Sequence, residues 1–263
     1  DGGGVEDPRI VKFDDSYYVT YAFRPYPPGQ YWKFSHDVVK VPKNTGENAP
    51  MYIRLNLGGT ALASTRDFRT WKRFGRITCP CLDDRDVILF PEKINGKFVL
   101  MHRPKQYVGG TFGVKYPSIW LKFSDDILCW EDKESHLLLA GRENTWEEKL
   151  GGSAPPLKTD KGWLMLYHGV EHGGRGYYRV GALLLDLENP LHILAKTPQP
   201  ILEPELDFET SGLYNGCVFP TGNVIVDGEL FVYYGSADKY VCVATCAVDE
   251  LLDYLLSDSC RLH

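Results

Sequence analysis

Much that would point to a particular class is scarce or absent in this 263-residue sequence. No apolar run approaches the roughly 18 residues that a membrane-spanning helix needs. There is no basic run and the formal net charge is -6, so a phosphodiester backbone is not the natural partner and no nucleic acid is expected. No CxxC pair occurs among the seven cysteines, Cys79, Cys81, Cys129, Cys217, Cys242, Cys246 and Cys260. Cys79-Pro80-Cys81 is a lone pair, short of the four ligands of a structural zinc site, so no metal is expected. An odd set of thiols suits a reduced, cytoplasmic protein better than a disulfide framework. Cys242 and Cys246 stand in an apolar run and read as buried thiols. Also missing are an initiator methionine and a signal-peptide pattern, because the sequence opens on Asp1-Gly2-Gly3-Gly4.

What is present is β-sheet chemistry. Hydrophobic residues make up 43% and charged residues 24%, enough to build a core and too ordinary for disorder. Aromatics reach 13%, with 16 Tyr, and 26 Gly and 17 Pro supply turns. Four segments share one plan: a proline, a short strand, a polar or glycine turn, then an apolar strand ending in an aromatic or His. They run from Asp7 to Tyr21, Phe90 to His102, Ala154 to His168 and Phe219 to Tyr234. Each reads as a β-hairpin, most sharply at Asn95-Gly96 and Asp227-Gly228, which suit a type I′ turn. A third strand follows each hairpin, over Thr60–Phe68, Ser118–Asp126, Tyr178–Leu187 and Val241–Thr245. The prolines at 8, 91, 155 and 220 recur at about 65 residues, with about twenty more in the first interval. Repeated antiparallel units of this size indicate an all-β propeller, a single domain over residues 1–263. The extra length falls in Phe23–Leu57, expected with Pro104–Pro117 to overhang the mouth. Only Val248–Leu256 has helical periodicity, and it predicts one short C-terminal helix.

At the ends of these hairpins stand Glu6-Asp7-Pro8-Arg9, Asp84-Arg85-Asp86, His102-Arg103, Lys149, His168, Asn215 and Asp238. Taken singly, each is an ordinary turn or surface residue. In a propeller they converge on one opening, where Arg85, Arg103, Lys149 and His168 would repel one another unless an anion filled the space. An anion clamp beside one acid has a chemical meaning. Inverting hydrolysis of a glycoside needs two carboxylates, whereas attack by phosphate needs only an acid, since the nucleophile is already charged.

Several ordered segments resemble glycoside hydrolase family 130, the β-mannoside phosphorylases with a branch of β-1,2-mannosidases. They are Gly4-Val5-Glu6-Asp7-Pro8-Arg9-Ile10, Arg85–Lys93, Met101-His102-Arg103-Pro104, Gly162–Val170 and Tyr233–Asp238. The resemblance implies a five-bladed β-propeller with its site at one end of the axis. The repeats supply four blades, so the first is expected to be missing or incomplete here, carried by preceding residues or by a partner. By the same resemblance Asp7 is the catalytic acid, passing its proton directly or through a sugar hydroxyl. Arg85, Arg103, Lys149, His168 and Tyr178 are the phosphate-binding set, and Asp238 holds the mannosyl unit, with Arg9 and Asn215 as further substrate contacts. Asp86 departs from the Asn of some members and receives no phosphate role. The expected activity is inverting phosphorolysis of a β-mannoside to α-mannose 1-phosphate, with phosphate as co-substrate and no other cofactor. Tyr and Trp faces near the mouth would stack on the acceptor sugar, and a homo-oligomer is allowed. Two alternatives remain: a β-1,2-mannosidase using Asp7 as acid and Glu92 as base, or a carbohydrate-binding propeller without catalysis.

Overall fold

The computed structural model describes residues 3–27, 41–42, 45–171 and 176–260. Its architecture is a ring of small antiparallel sheets, in which consecutive strands pair except that the first two strands of the third sheet both pair with its third strand. The first contains β1 (Val5–Phe13), β2 (Ser16–Phe23), β3 (Gly59–Thr65) and β4 (Lys72–Arg76), with the one-turn helix α1 (Met51–Arg54) between β2 and β3. The second contains β5 (Asp84–Leu89), β6 (Phe98–Pro104), β7 (Ile119–Ser124) and β8 (His136–Leu139). The third is built from β9 (Lys149–Gly152), β10 (Leu157–Lys158), β11 (Trp163–Val170), β12 (Tyr178–Leu185) and β13 (Ile193–Lys196). After the one-turn helix α2 (Asp207–Thr210) come β14 (Val218–Val226), β15 (Glu229–Ser236) and β16 (Tyr240–Ala247), then the terminal helix α3 (Val248–Leu256).

The hairpin turns follow their residues. Asn95 and Gly96 have φ of 51° and 79°, and Asp227 and Gly228 have 51° and 82°, the paired positive values of a type I′ turn. In the third sheet the inner strand is split into β9 and β10, both paired with β11, around Pro155 and Pro156. Proline has no N–H for the ladder, so pairing lapses there.

Alternation along the strands sends apolar side chains to both faces, as a ring of stacked sheets requires. Val11, Leu62, Leu89 and Trp130 pack the first sheet on the second. Ile88, Met101, Leu121, Met165 and Leu183 pack the second on the third. Leu164, Leu184, Leu230 and Leu252 join the third to the fourth and seat α3, whose Val248, Leu251, Leu252 and Leu255 face inward. Among the described residues no comparable core joins the fourth sheet to the first, although Arg9 of β1 lies 5.4 Å from the ring of Phe219 in β14.

Two expectations need correction. The prolines do not mark one structural position: Pro8 and Pro220 lie within strands, Pro91 follows β5, and Pro155 sits between β9 and β10. The repeats are real as hairpins, but their register is set by the turns. Cys246 is exposed and Cys242 only half-buried: both stand on the inward face of β16, opposite Leu230 and Tyr234, but β16 is the edge strand of the last sheet. The four sheets are the four blades that the repeats supplied, and the described residues form no fifth. The expected mouth loop 23–57 lies partly outside the described residues. Within it Asn56 is buried and clasps Tyr26, accepting from its N–H at 2.9 Å and donating to its carbonyl at 3.0 Å.

Candidate active site

The first two inner strands are each interrupted by a bulge, and an aspartate sits at each. The β1–β2 register shifts between Glu6 and Arg9, where Asp7 has φ 56°. The β5–β6 register shifts between Arg85 and Ile88, where Asp86 has φ 58°. Bulges bend a strand and re-aim a side chain, and Asp tolerates the left-handed region better than most residues. Asp7 and Asp86 thus turn out of the alternating pattern into a shared cavity.

That cavity gathers seven of the expected residues from all four sheets: Asp7, Arg85, Arg103, Lys149, His168, Tyr178 and Asp238. Asp238 enters on the β15–β16 turn, with φ 53°. Arg9 does not line the cavity but lies beneath it, almost wholly buried. Its Nε donates to the Ser153 carbonyl at 3.0 Å and its Nη1 to the Asp7 carbonyl at 2.8 Å, so it pins the bulge. Asn215 is exposed and outside the cavity, its Oδ1 accepting from the Gly212 N–H at 3.1 Å. Glu92 cannot serve as a base there. It is half-exposed, ion-paired with Lys158 at 2.5 Å, beside the β10–β11 turn at the opposite end of β11 from His168. Tyr178, Tyr214 and Phe219 bring aromatic faces to the cavity, and no Trp among the described residues lines it.

The electrostatics divide the groups by task. Burial raises the pKa of Asp7 above the usual carboxylate value; Arg9 opposes the shift, and Asp86 and Glu6 add to it. A carboxylic acid that keeps its proton longer suits a proton donor. Asp238 is raised by burial and by Asp7. Burial and the neighbouring Arg103 bring Lys149 down to about 7, while its ammonium donates to the Tyr178 hydroxyl at 3.0 Å. Burial also lowers His168. Burial would depress Arg85, but Asp83 and Asp86 outweigh it and keep the guanidinium charged.

Sequence reasoning missed several members. Asp86, set aside for its departure from Asn, is buried at the centre, paired with Arg103 and 3.6 Å from both Arg9 Nη2 and His168 Nε2. Burial would raise it, but Arg103 and His168 hold it well below the ordinary value. Lys105, also at the cavity, is lowered to about 8 by burial and by Arg85. Asp83 lies 3.0 Å from Arg85, 3.6 Å from Lys105 and 3.8 Å from Arg24, spacing three cations around one carboxylate. The run Asp83-Asp84-Arg85-Asp86 was the available signal, but only the bulge decides which acid faces which cation. Arg103 Nη1 is a buried donor without a hydrogen-bond partner. Buried donors are rarely left unpaired, so it calls for an acceptor in the cavity.

The same fold occurs among known proteins. The family model described as beta-1,4-mannooligosaccharide phosphorylase, for glycoside hydrolase family 130, matches residues 51–257. A 1,2-beta-oligomannan phosphorylase of Thermoanaerobacter sp. (strain X514) is 37% identical over 251 residues, covering 94% of this chain and 70% of that protein. A beta-1,2-mannobiose phosphorylase of Listeria innocua is 33% identical over 252 residues, covering 94% and 68%. The solved structure of a Listeria innocua beta-1,2-mannobiose phosphorylase in complex with beta-1,2-mannobiose superposes with a TM-score of 0.74 at 32% identity. That superposition covers 96% of this chain and 60% of the other, so the chain spans somewhat under two thirds of that structure. By its fold, its cavity and these matches, the chain belongs to glycoside hydrolase family 130.

Proposed function

We propose that this chain carries the active site of an inverting β-mannoside phosphorylase acting on β-1,2-linked manno-oligosaccharides. The observation behind it is the meeting of Arg85, Arg103 and Lys149 with Asp7 in one cavity, where Arg103 Nη1 is a buried, unpartnered donor. In this mechanism phosphate lies among Arg85, Arg103, Lys149, His168 and Tyr178, and one oxygen attacks the anomeric carbon. The glycosidic bond breaks on the opposite face, and Asp7 gives its proton to the leaving oxygen, directly or through a sugar hydroxyl. Mannose departs as α-mannose 1-phosphate, and Asp238 holds the mannosyl unit. The chemistry asks for no metal or organic cofactor, because the nucleophile brings its own charge. The β-1,2 linkage follows the named substrates of relatives matching 94% of the chain, against 75% for a named β-1,4 phosphorylase.

The finer architectural reading also belongs here: a single catalytic propeller domain of five blades, working in the cytoplasm and open to homo-oligomers. Support for a further blade comes from the outer face of the β14–β15–β16 sheet, where Val224, Val226, Tyr233, Val241 and Val243 lie exposed. No helix of the described residues is long and apolar enough to cross a membrane.

The test is product analysis with β-1,2-mannobiose and β-1,4-mannobiose, with and without phosphate. The expected result is α-mannose 1-phosphate from the β-1,2 substrate, formed only when phosphate is added. Free mannose at the same rate without phosphate would establish the mannosidase instead. Binding without turnover would establish a carbohydrate-binding propeller.

A further inference from the structure

The cationic cavity contains one group that a plain anion clamp does not call for. Asp86 is a buried carboxylate at its centre. Its Oδ2 is taken by Arg103 and lies 3.6 Å from His168 Nε2. Among the described residues its Oδ1 accepts no hydrogen bond, Arg9 Nη2 at 3.6 Å being beyond hydrogen-bonding distance. A carboxylate offers about four acceptor positions, so that oxygen still has capacity for a donor. Arg103, His168 and Arg9 hold Asp86 ionised against its burial. The packing around it leaves room by design of sequence: a Cβ on Gly151 would fall 2.5 Å from both Asp86 Oδ2 and His168 Nε2.

An ionised carboxylate beside a bound tetrahedral anion repels it unless a proton lies between them. Phosphate and arsenate keep at least one hydroxyl near neutral pH. Sulfate is the same shape and carries none. We infer that Asp86 is a specificity-determining residue whose free oxygen accepts a hydrogen bond from the hydroxyl of a protonated tetrahedral oxyanion. The cavity therefore takes hydrogenphosphate or arsenate and turns sulfate away. The cations supply attraction for all three anions, and the carboxylate supplies the difference among them. This rests on the phosphorylase reading and adds to it the choice among anions.

The experiment is calorimetric titration of the protein with inorganic phosphate, arsenate and sulfate at pH 7 and matched ionic strength. It is repeated on Asp86→Asn, whose amide can donate to sulfate. The wild type is expected to bind phosphate and arsenate alike and sulfate roughly 100-fold more weakly or worse, as sites built for a donor reject analogues lacking it. In Asp86→Asn the phosphate-to-sulfate ratio is expected to fall towards one. If Asp86 only positions Arg103 and His168, the variant weakens both anions in parallel and leaves the ratio unchanged, which overturns the inference. Should the variant fail to fold, the wild-type ratio decides alone, and sulfate binding as tight as phosphate overturns the inference while leaving the phosphorylase reading intact. Failure of all three anions to bind overturns both.

Discussion

At the scale of single residues, the site works by separating the proton affinities of neighbouring groups. Asp7 and Asp86 occupy matching bulges, yet burial raises one and the surrounding cations depress the other. Asp7→Asn removes the donor without changing volume, so kcat for phosphorolysis is expected to fall by about 100- to 10,000-fold. Initial rates at saturating phosphate measure this, and an unchanged kcat would remove Asp7 from the chemistry. Lys149 gives a pH-dependent prediction. Burial, Arg103, Lys105 and Arg85 lower it to about 7, against the opposing pull of Asp86. At pH 8 the empty cavity therefore holds it mostly neutral, and an arriving phosphate favours its charged form. Phosphate binding at pH 8 is expected to take up a substantial part of one proton, and affinity to weaken as pH rises further. Calorimetry in buffers of different ionisation enthalpy measures the uptake, which Lys149→Met should reduce and Lys149→Met with Lys105→Met should largely abolish.

At the scale of elements, the strands bring function in where they depart from regularity. The bulges in β1 and β5 aim the two aspartates, and the split of β9 from β10 ends the pairing beside Ser153, whose carbonyl receives Arg9. Gly151 in β9 matters for its missing side chain. Gly151→Ala is expected to force Asp86 or His168 aside and lower kcat/KM for phosphate by about 100-fold, the scale of loss for a displaced catalytic group. The stability cost of such overpacking is about 1–3 kcal/mol. Thermal melting and phosphate kinetics together check this; normal kinetics would show that the pair relaxes freely. Much at this scale was legible in the sequence. Asn95-Gly96 and Asp227-Gly228 name their own turn type, and Val248–Leu256 announced α3 by its period. The bulges were not legible, because a register shift depends on which residue of the partner strand lies opposite. For the same reason the proline alignment misreads the repeat, whereas Asp86 receives no role in the sequence only because it departs from the Asn of some family members.

For the whole molecule, three cores join four sheets in sequence, and the last sheet keeps an apolar outer face in which Val241 is 85% exposed. Apolar surfaces of this kind drive association in water. The chain in solution is expected to self-associate through this face. Replacing Val241 and Val243 together by Lys should reduce the associated fraction, read by sedimentation velocity, with little change in melting temperature because neither side chain is in the core. Association unaffected by the two lysines would place the contact elsewhere.

The sequence alone determined the all-β hairpin repeat, the terminal helix and most of the cationic set. These follow from local periodicity, turn chemistry and ordered motifs, which a linear chain displays. Tertiary structure alone decided that Arg9 underpins the cavity while Asn215 and Glu92 stay outside it. It also placed Asp83, Asp86 and Lys105 among the cations and left Cys246 in the open. Each of these depends on distances between strands far apart in the chain, and on where a bulge reverses the facing of a side chain.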